Sequence, residues 1–245
     1  MRIDLATSAL QLPAYFKEDR QQTIIVVDVL RASTTITTAI YNGAKEMIVV
    51  EKLQEAMDYA EKGYLVGAER KALRCDFARF GNSPYEYQPE IVHDKTLVFT
   101  TTNGTKCIER AFSIGAKKVY IGGIINLEQA TNQLLRDNND IIVLAAGWND
   151  TIGLEDCIYA GAIAEKLIQK GAIIEMSDGT FAMRELWQIH GQNDQDLIKY
   201  IANTEHYKRM KKAGVVGDVP YCLTQNDKMP FLEVRKEKGK YLCRM

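Results

Sequence analysis

The stretch from Thr23 to Ala39 reads TIIVVDVLRASTTITTA, and its first five residues decide the fold. Thr23 to Val27 is a short, mostly β-branched run, the composition of a strand buried on both faces. Such strands belong to parallel sheets covered by helices on either side. Asp28 closes the strand, Arg31 follows, and Ser33, Thr34 and Thr35 stand where the next helix should begin. Ser and Thr oxygens cap the free N–H groups of a first helical turn. Those N–H groups, with the helix dipole, make an anion site. An acid, a guanidinium and a set of donors are thus expected together at the carboxyl end of a central strand, where ligands bind in open α/β sheets.

Outward from this stretch the same grammar recurs. Short apolar runs at Met47 to Val50, Tyr64 to Val66, Lys95 to Thr100, Val119 to Ile121 and Ile141 to Ala146 alternate with helical patterns. The order β-α-β-α predicts a three-layer α/β/α fold with a mostly parallel sheet built from repeated βαβ units. Asp28 to Lys45 aligns without a gap with Thr100 to Lys117, since Asp28 to Thr100 and Gly43 to Gly115 are both 72 positions. The match reads as the shared grammar of βαβ units rather than duplication, with the strand ends at one edge of the sheet. Lys71 to Asp94 is irregular and contains FGNSP at Phe80 to Pro84; a loop this long inside a compact domain is usually functional. In Leu154 to Lys170, Gly161 and Ala162 allow close helix packing. After about Ser177 the texture changes to short helices and then a β-prone section from Val219 to Leu242. This reads as a mixed C-terminal layer of one domain spanning residues 1–245, with a subdivision near 175.

Composition narrows the class. The 245 residues carry 31 basic and 32 acidic side chains, a balance that excludes a general nucleic-acid or membrane-surface role. Five cysteines with no CxxC pair give neither a disulfide framework nor a zinc site. A cytoplasmic location is the expectation. Neither a signal peptide nor a membrane span is read.

Three turns rich in donors and hydroxyls, RASTT, TTTNGT (Thr100 to Thr105) and AGWNDTIG (Ala146 to Gly153), suit an anion with several oxygens. No Walker loop, GxGxxG fingerprint or Cys-x5-Arg loop is present. Asp28, Glu51, Glu69 and the pair Glu155-Asp156 all fall at expected strand ends or the turns beyond. Two or three converging acids would hold Mg²⁺, an oxygen-seeking ion. Arg31, Arg70 and Lys106 offer cations for phosphate oxygens. Trp148 and the basic run Lys208 to Lys212 read as packing and a solvated helix face.

VVDVLRASTTITTA, Glu69-Arg70, FGNSP, TTTNGT and Glu155-Asp156 followed by Ala160-Gly161 together resemble the 2-phosphosulfolactate phosphatase family. The likeness covers most of the chain and weakens after about residue 175. It implies a Mg²⁺-dependent acid phosphatase acting on phosphate esters of small 2-hydroxy acids, with 2-phosphosulfolactate as the expected substrate in coenzyme M biosynthesis. Asp28, Arg31, Ser33, Thr34 and Thr35 match its first motif, and Gly81 to Pro84 its Gly-Asn-Ser-Pro. Ala68 replaces a Gly, and Arg79 stands where the family has an acid. His206 and Asp218 fall where a late His and Asp are expected, with Tyr207 replacing a Gly.

On this resemblance Asp28, Glu69 and Asp156 would hold Mg²⁺, while Asp28 and Arg31 would be catalytic. Ser33, Thr34, Thr35, Arg70, Asn82, Ser83, Thr101, Thr102, Asn103, Gly104, Thr105 and His206 would bind substrate. Asp28 as a metal ligand and Asp28 as an aspartyl nucleophile both remain open. Thr34 is expected nearest phosphorus, and Asn103 at the carboxylate end. A small anionic phosphate ester is the expected partner, nucleic acid and membrane are not, and a homodimer is left open. Two other readings compete: a non-catalytic binder of a phosphorylated metabolite, and a lyase or isomerase acting on a phosphorylated hydroxy acid.

Overall fold

Strand β2 (Gln22–Val27) is buried at all of its positions, as its composition predicts. It is flanked on both sides by parallel neighbours. The computed structural model describes residues 1–245. The order begins β1 (Arg2–Ala6), α1 (Leu12–Tyr15), β2, α2 (Ala32–Tyr41), β3 (Glu46–Val49), α3 (Leu53–Glu61), β4 (Leu65–Arg70) and β5 (Leu73–Arg74). It continues with α4 (Pro89–Val92), β6 (Thr96–Thr100), α5 (Gly104–Ser113), β7 (Lys118–Gly122), α6 (Leu127–Asp137), β8 (Asp140–Ala145) and α7 (Leu154–Gln169). It ends with β9 (Glu175–Met176), α8 (Asp178–His190), α9 (Asp194–Ile201), α10 (Glu205–Lys212), α11 (Val219–Leu223), β10 (Leu232–Glu237) and β11 (Lys240–Cys243). No helix is long and apolar enough to cross a membrane.

All the strands form one sheet, in the order β5-β4-β6-β3-β11-β10-β7-β2-β8-β1-β9. The section from Val219, expected to be β-prone throughout, opens as a helix. Its hairpin β10–β11 lies in the middle of the sheet, antiparallel to β7 on one side and β3 on the other. The helices α8 to α11 stay outside, packing with α7 in one apolar cluster.

From β4 to β8 the strand order is a palindrome around that hairpin. Units β2-α2-β3 and β6-α5-β7 exchange partners: β2 pairs with β7, and β3 pairs with β6. Thr23 faces Lys118 and Thr96 faces Glu46. A shift of 72 residues turns 118 into 46 and 23 into 95, so the two registers agree within one residue. Gly43 and Gly115, the helix stops 72 apart, have φ of 92° and 93°. The match read as shared grammar is therefore a pseudo-two-fold arrangement of the two units.

A two-fold makes the blocks β4-β6-β3 and β7-β2-β8-β1 run in opposite directions, so their strand ends do not share one edge as expected. Sheet twist brings them back together. At about 20–25° per strand, the five steps from β2 to β6 rotate their directions by roughly 100–125°. The turns after β2 and β6 thus converge over one face of the sheet. Helices α2 and α5 fill that face, packing Ile36, Ile40 and Ile108 against Ile24, Val26, Leu97 and Phe99. Their first residues meet on the axis, where a Cβ on Gly104 would lie 3.1 Å from that of Ala32. The opposite face is covered by α6 and α7 over one block and by α3 over the other. Gly161 admits the close α7–α8 packing read from sequence: a Cβ there would stand 2.2 Å from the Met183 carbonyl.

Candidate active site

The turn after β2 closes on itself. The Asp28 N–H donates to Ser33 Oγ at 2.9 Å, and the Ser33 N–H returns to the Asp28 carbonyl at 2.9 Å. The Leu30–Arg31 peptide within it is cis. Asp28 Oδ1 accepts from the Ala32 N–H at 3.2 Å. Thr34 Oγ1 donates to the Val29 carbonyl at 3.2 Å, and Thr35 Oγ1 to the Asn82 carbonyl at 3.0 Å. The hydroxyls of Ser33 and Thr34 hold the turn, that of Thr35 ties it to the Asn82 loop, and none of the three residues lines the cavity beside it, which corrects their reading as substrate contacts. The cause is local: Ser and Thr satisfy nearby backbone groups before distant ones.

Beside this turn lies a cavity to which the other converging loops contribute. Asp28, Leu30 and Arg31 form one wall, with Glu69, Ala72 and Asn82 next to them. Thr101, Thr102 and Asn103 come from the turn after β6. Gly147, Trp148 and Asp156 come from the β8–α7 connection, and His206 and Met210 from α10. The cavity thus unites nine of the candidate residues: Asp28, Arg31, Glu69, Asn82, Thr101, Thr102, Asn103, Asp156 and His206.

Its electrostatics are dominated by buried acids. Burial pushes the Asp28 carboxyl up, partly offset by nearby His206. Glu69 is raised by burial against the pull of the Ala72 N–H. Asp156 is raised well above the usual carboxylate range, by burial first and then by Glu155 and Asp28. Both Asp156 oxygens are engaged, Oδ1 by the Val29 N–H at 2.8 Å and Oδ2 by the Gly147 N–H at 3.0 Å. Glu69 Oε1 accepts from the Ala72 N–H at 2.5 Å. That N–H is presented by a two-residue hairpin turn in which Lys71 and Ala72 both have positive φ, 54° and 65°.

The cations are placed differently from expectation. Arg31 is buried in an ion pair with Asp218 at 2.5 Å, and Ser83 Oγ donates to the other Asp218 oxygen at 2.8 Å. Arg31 is therefore a neutralised wall, and Ser83 holds its partner without lining the cavity, which corrects its reading as a substrate contact. Arg70 turns away, donating to the Glu69 carbonyl at 2.7 Å and to Thr100 Oγ1 at 3.1 Å. This corrects its reading as a substrate contact: the free carbonyls at the strand ends claim its guanidinium. Gly104 and Thr105 also stay out of the cavity. Gly104 makes room for Asp28 and Ala32, and Thr105 Oγ1 donates to the Thr101 carbonyl at 3.0 Å. The Asn103 amide donates to the Gly147 carbonyl at 3.0 Å, tying two loops together instead of reaching outward.

His206 Nδ1 is in contact with Glu155 Oε1, leaving the other ring nitrogen without a partner in the chain. Three of the residues that line the cavity carry a buried oxygen with no partner in the chain: Asn82 Oδ1, Thr101 Oγ1 and Thr102 Oγ1. Buried polar atoms are rarely left so, and here they point to a polar ligand. Apart from that ring nitrogen, the free groups are oxygens, and with the carboxylates of Asp28 and Glu69 they suit a hard cation. No three acidic, His or Cys side chains form a ready metal cage. Since Asp156 is held by two N–H groups, Asp28 and Glu69 are the better-placed ligands. Mg²⁺ commonly takes only one or two carboxylates and completes its shell with water and substrate.

Trp148 and Met210 were not among the residues expected at the site, while Glu155, expected among the converging acids, stands behind the cavity as the partner of His206. Met210 lies one helical turn beyond His206, a signal readable from spacing once α10 is placed.

A family model described as 2-phosphosulpholactate phosphatase matches residues 11–238. A Clostridium kluyveri protein named probable 2-phosphosulfolactate phosphatase is 38% identical, covering 91% of this chain and 90% of its own. One of the same name from Clostridium beijerinckii is 33% identical, with coverages of 92% and 93%. Another from Caldanaerobacter subterraneus is 34% identical over 84% of each chain.

Proposed function

The chain belongs to the 2-phosphosulfolactate phosphatase family, phosphoric monoester hydrolases, and from that premise we propose that it hydrolyses the phosphate ester of a small 2-hydroxy acid, 2-phosphosulfolactate in the first place, with Mg²⁺. The observation that carries the proposal is the lining of one buried cavity by Asp28 and Glu69 beside three unpartnered oxygens. Asp28 and Glu69 would hold the ion. Bound there, Mg²⁺ would offset phosphate charge and make water a better nucleophile.

The chain's own groups supply the rest. Thr101 and Thr102 donate hydroxyl protons toward phosphoryl oxygens, a contribution that grows as charge develops. Asp156, held by two N–H groups, fixes Val29 and Gly147 and so the facing walls. His206, oriented by Glu155 through Nδ1, delivers a proton to the departing alcohol oxygen from its free nitrogen. Arg31 and Asp218 form a neutral floor that keeps the turn in place. A cytoplasmic site and a place in coenzyme M synthesis belong to the same proposal; all five cysteines being free supports a reducing compartment.

The test is phosphate release from a panel of 2-phospho-hydroxy acids, with Mg²⁺ and with EDTA. Release that EDTA stops and added Mg²⁺ restores is the expected result. Release indifferent to EDTA would remove the metal from the scheme, and no release from any acid would remove the substrate class.

A further inference from the structure

Arg209 is a cation beside this cavity, against one of its lining residues, with no acidic partner in the chain. Arg31 is bound to Asp218 and His206 to Glu155, while Arg70 is taken up by carbonyls and Thr100. Arg209 lies on α10 between His206 and Met210, both of which line the cavity. Its guanidinium sits 4.8 Å from the centre of the Trp148 ring, and Trp148 lines the same cavity. A guanidinium stacked on an indole keeps its edge donors available for a planar anion.

The platform beneath it is rigid. Trp148 and Thr151 exchange backbone hydrogen bonds at 3.2 and 2.9 Å across a turn in which Asn149 and Asp150 have φ of 48° and 61°. Thr151 Oγ1 donates to the Trp148 carbonyl at 2.6 Å. The preceding Gly147 is clamped to both Asp156 and Asn103. The backbone that bears the ring is therefore tied to the turn after β6, and the ring holds the guanidinium beside the cavity that Trp148 lines.

We propose that the Trp148–Arg209 pair is the subsite for the acid group of the substrate, and so the determinant that selects phosphate esters bearing a second anion over plain monoesters. The inference rests on the phosphatase reading above and deepens it. The cavity's buried carboxylates repel a polyanion, so a carboxylate or sulfonate on the ester needs a cation outside that cluster. Arg209 offers the planar fork that such groups match. The basic neighbours Lys208, Lys211 and Lys212, read from sequence as a solvated face, add a favourable long-range field.

The experiment compares kcat/KM for 2-phospholactate and for isopropyl phosphate, the same ester with a methyl in place of the acid. In the Arg209→Ala chain the preference for the acid should fall about 10- to 100-fold, the scale of a charge-assisted hydrogen-bond pair. Arg209→Lys should restore part of the preference, and Trp148→Leu should weaken it in the same direction but less. Equal losses on both esters, or an unchanged preference, would overturn the subsite. So would a larger loss of preference in Lys106→Ala, since Lys106 is exposed on the adjoining depression that shares Thr102 and Asn103. Hydrolysis of neither ester by the unaltered chain would instead overturn the substrate class, an outcome read before any variant is made.

Discussion

Asp28 and Thr100 follow or end equivalent strands, and Ala32 and Gly104 begin equivalent helices that touch across a pseudo-two-fold axis. The two turns nevertheless carry different chemistry. In the first, a carboxylate and a guanidinium face the cavity while the hydroxyls of Ser33, Thr34 and Thr35 bond within the protein. In the second no charged side chain lines the cavity, Lys106 standing on the adjoining depression, and the hydroxyls of Thr101 and Thr102 are the unpartnered ones. One copy of the scaffold became the charged half of the site and the other the neutral donor half. A repeated fold can divide labour this way because symmetry fixes where the backbone goes and leaves each side chain free to vary.

The charged half is where the largest effect is expected. Asp28→Asn keeps an acceptor for the Ala32 N–H and should fold normally. It removes the charge that the proposed chemistry requires, and should lower kcat/KM by about 10³-fold or more. The two-fold equivalent, Thr100→Val, should lose less than about 10-fold, because Thr100 Oγ1 contacts the Glu51 carbonyl and Arg70 and lies outside the cavity. Comparable losses in the two variants would break the asymmetry.

Hydroxyls provide the next contrast. Thr101→Val removes an oxygen with no partner in the chain and should lower kcat about 10²-fold, as for one donor aimed at developing charge, with little loss of stability. Thr34→Val should show the reverse. It leaves the Val29 carbonyl unpaired, costing about 1–3 kcal/mol of stability, and should keep kcat within about 3-fold of the parent. Urea midpoints and steady-state rates on both variants separate the two patterns. The sequence had put Thr34 nearest phosphorus; its bond to Val29 turns that expectation around.

Why some of this was legible and some not follows from the range of the forces involved. The β-branched run before Asp28 announces a buried strand because its signal is local, and the alternation of runs gives the layered fold. Strand order is different, since the hairpin β10–β11 reaches the middle of the sheet from the far end of the chain, and its sequence records no partner. The cavity acids were readable because strand-end turns collect there. Partner choice was not: Arg31 meets Asp218 across 187 positions, and Thr35 meets the Asn82 carbonyl across 47. A side chain's hydroxyl or guanidinium takes the nearest unpaired group, and which group is nearest depends on loops folded elsewhere.

The axis itself gives the smallest and most local test. A methyl on Gly104 would stand 2.8 Å from Asp28 Oδ2 and 3.1 Å from the Ala32 Cβ, both in buried surroundings. Gly104→Ala should therefore destabilise by about 1–3 kcal/mol, the usual penalty for overpacking. Ala32→Gly at the equivalent place only loosens a helix start, and should cost about 0.5–1 kcal/mol. Combining them moves the single methyl from one side of the axis to the other. If the Ala32 contact limits Gly104→Ala, the double variant should regain most of the loss. The Asp28 oxygen is the nearer atom and lies on a short side chain bonded to Ala32 N–H. The double variant should accordingly regain less than half, leaving the two costs nearly additive in urea midpoints. Full recovery would mean that the axis is interchangeable and that Asp28 yields freely, which would contradict the fixed carboxylate on which the charged half depends.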